Sequence, residues 1–428
     1  MARRHARTTV AVLALAATVA VVGCTGAGDP SSSAAAQPQA LIPAAPGELD
    51  PGPYRRTPLD IDAPVVPNAA AGSYRESQRL AEAVVLPVEV DAELVTPSAR
   101  DTYSIPDGKI LSFALTGQID EAIPAIAEKY GYYAGFTTRR RTDLGFEVGT
   151  RRIMTHAVLQ FPDAESAAHA AADLHRDSLT RSSVIIPDLP PPTEYPMVSL
   201  PDSFVGVKTG DSYVIGSSFT PYDRYVIHTE LDAMAFPGAT IDPWSWVETT
   251  MATTLDLQRT LLDGFHPTDP ADLTALEVDP DGVLRLTVPY GRDDSGDFNA
   301  MSVFGVRGAA HLAADQAGTL DALTATGTDH FAVNATNIYR SETVGGSEEL
   351  LGTMPDLLRA RGSSIEVPGP PGVPNSLCFE IVDALTEHVT CAVQHGPYVA
   401  EVSGDTGKQA HQLATAQYLI FEGDAAGG

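Results

Sequence analysis

The sequence predicts an α+β protein of two related domains, each a small antiparallel sheet packed with helices. Three observations carry that expectation. Short apolar runs alternate at period two, longer runs space apolar residues at helical intervals, and the same order of elements recurs in both halves of the chain. A chain of 428 residues, 43% of them hydrophobic, can bury cores of that size.

The amino terminus falls into three zones. Arg3, Arg4 and Arg7 precede an uncharged apolar run from Val10 to Val22, which ends at Gly23 and Cys24. That order is the one expected of a signal peptide over residues 1–23. The run is shorter than the roughly 20 residues a helix needs to cross about 30 Å of hydrocarbon, which disfavours a permanent span. Val21-Val22-Gly23-Cys24 resembles a bacterial lipobox. The resemblance implies that the mature chain starts at Cys24, carries a diacylglyceryl group on its thiol, and is held at the extracytoplasmic face of the cell membrane. Residues 24–46 are then the lipidated cysteine and a tether, because their Ala, Ser and Pro include too few large apolar side chains to offset the entropy of ordering.

An N-terminal α+β domain is expected over 47–267 and a C-terminal one over 268–428. In the first, the strand Thr155–Phe161 is followed by a helix that Asp163 caps and that runs to about Leu179; in the second, the strand Thr336–Arg340 is followed by a helix over 346–361. Each copy then passes through a Pro-rich loop into a Pro-x-Ser step at Ser203 and Ser376, continues as a hairpin, and ends in a helix. Those last helices are expected from Pro243 to Asp263 and from Gly407 to about Phe421, with Asp242-Pro243 and Gly264 as start and stop signals for the first. Tyr213–Thr220 can be laid over His388–His395, which places Cys378 and Cys391 level with Val205 and Gly216. A further hairpin, Leu276–Val288, is expected to open the second domain around Asp279-Pro280-Asp281-Gly282.

With Cys24 assigned to lipid, Cys378 and Cys391 remain, each in an apolar run on either side of a polar turn. Antiparallel pairing sets them opposite one another, and outside the cytoplasm such a pair is expected to be a disulfide. Closing so short a loop contributes about 3 kcal/mol in the chain-entropy picture. Neither cysteine belongs to a C-x-x-C pair, so no metal site is expected there.

The formal net charge is −28, and removal of residues 1–23 takes it to −31. So acidic a body repels nucleic acid, which is excluded as a partner. One local exception stands out. Arg139, Arg140, Arg141, Arg151 and Arg152 follow Tyr130, Tyr132, Tyr133 and Phe136. Guanidinium forks beside aromatic rings suit a phosphate, an acidic glycan or an acidic partner segment, while the plainer reading is a charged hairpin face balanced by nearby acids.

Chemistry is otherwise sparse. The chain has no G-x-S-x-G, S-x-x-K, H-E-x-x-H, G-x-G-x-x-G or Walker A pattern. Lys208-Thr209-Gly210 stands without the nucleophile that such a triplet would serve. Asp279 and Asp281 read as a turn rather than a calcium loop, since Tyr290 occupies the closing position, and Asp293–Asp297 reads as a solvated loop. His169 and His175 lie six apart, off the spacing that aims two imidazoles at one metal, and are expected at the surface. Ser203 and Ser376 read as turn residues bonding local backbone. No catalytic residue, metal or cofactor is therefore expected. The function expected is a non-enzymatic binding or carrier module for an envelope lipid, glycan or protein; the alternative is a hydrolase of wall or lipid esters with an unfamiliar catalytic arrangement.

The lipobox, the run Ser73-Tyr-Arg-Glu-Ser-Gln-Arg-Leu-Ala-Glu82 and the ending Gly396-Pro-Tyr-Val with Ala410-His-Gln-Leu-Ala-Thr-Ala-Gln-Tyr418 resemble a family of uncharacterised lipoproteins of mycolic-acid actinobacteria. That likeness spans nearly all of the mature chain and implies no activity. More loosely, a strand, a Pro-Asp-Ala helix start and a disulfide-closed hairpin are similar to the external sensor domains of mycobacterial receptor kinases, which implies ligand binding rather than chemistry.

Overall fold

Runs rich in Val, Ile, Thr and Tyr assemble into two antiparallel sheets in the computed structural model, which describes residues 48–61, 64–97, 102–143, 149–181, 189–290, 301–382 and 386–427. Cys24, the expected leader and tether, and Asp293–Asp297 lie outside the described residues. The first sheet holds β1 (Thr96–Pro97), β2 (Tyr103–Ser104), β3 (Ala134–Arg141), β4 (Thr150–Gln160), β5 (Thr193–Glu194), β6 (Phe204–Gly210), β7 (Tyr213–Tyr222) and β8 (Tyr225–Ala235). The second holds β9 (Ser302–Phe304), β10 (Thr328–Val333), β11 (Thr336–Ser341), β12 (Ser363–Val367), β13 (Ser376–Val382), β14 (Glu387–His395) and β15 (Tyr398–Gly404). Helices α1 (Ala69–Leu80), α2 (Pro87–Val90), α3 (Gly108–Thr116), α4 (Ala122–Lys129), α5 (Ala164–Ser178) and α6 (Pro243–Asp263) accompany the first; α7 (Val306–Leu312), α8 (Gln316–Ala325), α9 (Val344–Arg359) and α10 (Gly407–Gly427) accompany the second.

The internal repeat is real. Strand order β3-β4-β8-β7-β6-β5 in one sheet recurs as β10-β11-β15-β14-β13-β12 in the other, with α5 and α9, then α6 and α10, at matching points of the chain. Local chemistry sets the helix ends. Asp163 accepts the Ser166 N–H at 2.7 Å and Asp242 that of Ser245 at 2.8 Å, each satisfying an otherwise orphaned first-turn donor.

Cys378 and Cys391 pair across β13 and β14 and are joined, with an S–S distance of 2.03 Å. One of their two equivalents in the first sheet differs from the expected one, by two residues. The hairpins close at Tyr222↔Tyr225 and His395↔Tyr398, and counting back from the turns sets Cys391 level with Ser218, which pairs with Val205. Gly216 therefore yields to Ser218. Turns pin register whereas strand starts do not, and a shift of two leaves every side chain on its own face.

The expected hairpin over Leu276–Val288 does not form. Leu276, Glu277 and Val278 instead meet an extended arm, through Val66 N–Leu276 O at 2.9 Å, Val278 N–Pro64 O at 3.0 Å and the Val65↔Glu277 bridge. Asp279 accepts the N–H groups of Leu284 and Arg285, both at 2.9 Å, and folds the next segment into a short 3₁₀ turn. Val283, Leu284, Leu286 and Val288 then plug the second core, each at most 3% exposed. An alternating pattern becomes a strand pair only where a partner strand is free, and here the arm takes that place.

One cluster of buried side chains runs from Phe136, Met154 and Val158 on the first sheet to Phe304 and Phe331 on the second and Leu350 on α9. The two domains thus share a core. Its seam is lined by the run beginning at Ser73. Tyr74 Oη and Ser302 Oγ are 2.8 Å apart, Arg75 donates to Val303 O at 2.8 Å, and Gln78 Oε1 accepts Val303 N–H at 3.1 Å. On the other side Gly135 N–H donates to Ser77 Oγ at 3.2 Å, and the fully buried Glu76 accepts from Gln160 and from Thr268 N–H. Among the described residues no helix is long and apolar enough to cross a membrane.

Candidate functional site

Strand alternation divides the five arginines between two faces. Arg140 and Arg152 point into the shared core and are 2% and 4% exposed. Arg140 donates to His311 O at 2.9 Å and Ala313 O at 2.7 Å, tying the first sheet to the end of α7. Arg152 pairs with Asp91 at 2.5 Å and with Glu93, and lies 5.8 Å from the Trp246 ring centre. Both are committed to structure.

Arg139, Arg141 and Arg151 stand on the opposite face, beyond the end of α5. Register places Arg139, Thr155, Glu230 and Ser217 in one row across β3, β4, β8 and β7. The next row is Arg141, Ile153, Asp232, Ile215 and Lys208, and Arg151 begins a third. The preceding row, Thr137, Ala157, His228, Phe219 and Phe204, lies beneath α5. The last buried turn of that helix sets His175 on Phe204, ring centres 5.7 Å apart.

This arrangement brings four cations and two carboxylates onto a half-buried surface. Burial, then the neighbouring Asp232, pushes the Glu230 carboxyl up to about 7, while Lys208 and Arg139 pull it back. Asp232 is likewise raised by burial and opposed by Arg139, Lys208 and Arg151. Among the described residues Asp232 Oδ1 and both ring nitrogens of His175 find no hydrogen-bond partner. Asp232 thus leaves one acceptor of the charged rows unsatisfied, whereas the His175 ring is enclosed by Phe204 and Phe219 beneath α5. Lys208, which opened a triplet without catalytic company, acquires a place here through charge rather than nucleophilic chemistry.

The other candidates are structural. His175 is 4% exposed, not at the surface, because it falls on the same helical stripe as Ala167, Ala171 and Leu174. His169 is exposed and stacks on Tyr130. Ser376 Oγ donates to Val373 O at 3.0 Å, and Ser203 Oγ lies 2.6 Å from Thr220 Oγ1. A cleft of about 550 Å³ between α7, α8 and β10 includes Glu82, Arg307, Asp329 and Glu342 in its walls. Three of these four charges are engaged: Glu82 holds three backbone N–H groups, Arg307 pairs with Glu89 at 2.7 Å, and Asp329 takes two nitrogens of the Arg340 guanidinium at 3.1 and 2.8 Å.

No curated protein matches the chain. Among solved structures, it is similar to the crystal structure of the extracellular domain of PknH from Mycobacterium tuberculosis, at 11% identity and a TM-score of 0.29, over 44% of this chain and 96% of that one. The family models that match are the N-terminal domain of unknown function DUF7373 over residues 63–278 and its C-terminal counterpart over 283–423. Between them they cover both sheets and the Ser73–Glu82 run that seals the seam, and the chain belongs to this DUF7373 family.

Proposed function

We propose that the protein is an exported lipoprotein, anchored through Cys24 to the extracytoplasmic face of the membrane, that binds an envelope ligand carrying acidic oxygen atoms and does not transform it. The charged rows beyond α5 carry this reading: Arg139, Arg141, Arg151 and Lys208 supply donors, while Glu230 and Asp232 supply acceptors for ligand hydroxyls. The shared core supports it as well, since a continuous packed interior holds such a surface in one shape before the ligand arrives.

Two experiments test the two halves of the proposal. Native mass spectrometry of protein purified from its own host should show a copurifying acidic glycan or phosphorylated headgroup. Joint Arg139→Glu and Arg151→Glu substitution should reduce its occupancy about tenfold or more; unchanged occupancy in a folded variant removes the site. For the anchor, two or more acyl chains at about 0.8 kcal/mol per buried CH₂ hold a protein where one does not. Cys24→Ala should therefore move it from the membrane fraction to the soluble one, and retention in the membrane overturns the anchor.

A further inference from the structure

The disulfide has an imidazole beside it. Cys378 and Cys391 are fully buried between the second sheet and α10, and His411 on that helix brings a ring nitrogen to within 4.8 Å of both sulfurs. Its other contact defines its tautomer. His411 Nε2 lies 3.0 Å from Pro368 O, and a carbonyl can only accept, so Nε2 carries a proton and, in the neutral ring, the lone pair falls to Nδ1. Imidazoles that bind metal are oriented in this way, their second nitrogen donating to a backbone carbonyl. His411 is partly exposed, so it stands at the rim of the buried pair.

We propose that the pair is a latent metal site: when the disulfide is reduced, Cys378, Cys391 and His411 bind a thiophilic divalent cation such as Zn²⁺ through two thiolates and one imidazole. The step balances with an external dithiol as reductant. One of its thiolates attacks a protein sulfur and forms a mixed disulfide; its second thiolate displaces that sulfur, so the dithiol loses two electrons and the protein pair gains them. Zn²⁺ then displaces two thiol protons to solvent, and the neutral imidazole joins without proton change. Two sulfurs and one nitrogen leave the fourth tetrahedral position to water, which reaches the site from the His411 side. The oxidised pair offers no thiolate and binds no such ion, so a covalent bond ties β13 to β14 in one redox state, whereas the metal would tie both strands to α10 through His411 in the other.

The test uses Co²⁺ as a spectroscopic stand-in on the full chain, reduced anaerobically with a non-chelating phosphine that takes up the oxygen of one water. The reduced protein should bind one Co²⁺ with thiolate-to-metal charge-transfer bands and tetrahedral ligand-field bands, Zn²⁺ should bleach them, and the oxidised protein should show neither. His411→Ala lies on an accessible helix face and leaves both cysteines in place. It should weaken Co²⁺ binding at least about tenfold while a thiol assay still counts the same two thiols. Absence of charge-transfer bands in reduced protein with both thiols titratable, or equal affinity in His411→Ala, overturns the proposal.

Discussion

Glu82→Gln lowers the unfolding free energy by roughly 2–3 kcal/mol and splits a single denaturation transition into two. The reason is the seam between domains. Glu82 Oε1 accepts the N–H groups of Gly305 at 2.9 Å and Gly308 at 2.7 Å, and Oε2 accepts that of Arg307 at 3.0 Å. One carboxylate from the first domain thereby satisfies three N–H groups at the start of α7 in the second, that of its N-cap Gly305 and those of Arg307 and Gly308 in the first turn. Burial pushes this carboxyl up, and the three N–H groups with the Arg307 charge pull it back. Glutamine keeps one acceptor but turns an NH₂ toward a backbone N–H, so at least one donor is orphaned and the charge that strengthens the remaining bonds is lost. The site can also be pressed from the other side: a Cβ on Gly308 would sit 2.7 Å from Glu82 Oε1 and equally close to Phe304, so Gly308→Ala should act in the same direction. Arg307 also pairs with the exposed Glu89 at 2.7 Å, and Glu89→Gln is the control, with an expected loss of under about 1 kcal/mol. Chemical denaturation checks all three, and a Glu82→Gln effect no larger than the control removes the seam's central contact.

Stability should fall as pH drops from about 6.5 toward 4, ahead of general acid unfolding, because three histidines are buried neutral. Burial depresses His156 and His228 to about 4 each and also holds His311 well below the usual histidine value. His156 is held in place by Thr229 at 3.0 Å and by Gln258 at 2.8 Å, the latter also accepting Val85 N–H. The sign follows from linkage. An unfolded histidine takes up a proton near 6.5 while the folded one does not until about 4, so across that window the unfolded chain binds more protons and is favoured as pH falls. Each 2.5-unit gap corresponds to about 3 kcal/mol. Glu230 works the opposite way. Its folded value of about 7 lies above its unfolded one, so the folded state binds the extra proton, and that contribution is complete at low pH and is lost as pH rises through 7. His156→Gln should therefore flatten the pH dependence of unfolding free energy near pH 5 by about 1.4 kcal/mol per pH unit, and Glu230→Gln should steepen it by a similar amount. Equal slopes in wild type and His156→Gln would show that this imidazole is not held neutral.

Much of the fold was legible because it rests on local rules. The period-two runs became β4, β7, β8, β13, β14 and β15, and Asp163, Asp242 and Gly264 bound their helices where short-range chemistry puts helix ends. The pairing of Cys378 with Cys391 followed from two apolar runs and one turn. His175 could have been placed in the core by the same reasoning, since it shares a helical stripe with Ala171. The segment Leu276–Val288 could not be read correctly, because an alternating pattern does not say whether its partner is its own continuation or a distant arm.

The candidate site divides along the same line. Composition and order alone determined that the body is acidic, that it carries one basic cluster, that its two halves repeat, and that three arginines precede an uncharged apolar run leading to Gly23 and Cys24. Only the tertiary structure decided that Arg140 ties the first sheet to the second domain and that Arg152 braces the first domain from within, while Arg139, Arg141 and Arg151 share a face with Glu230, Asp232 and Lys208. It also decided that Ser73–Glu82 is the seam and that His411 stands over the disulfide. The physical reason is range. Propensity, capping and periodicity act over a few residues and are written along the chain, whereas pairings such as Glu82 with Gly308, or Lys208 with Glu230, exist only after the sheets have closed and their partners have been brought together.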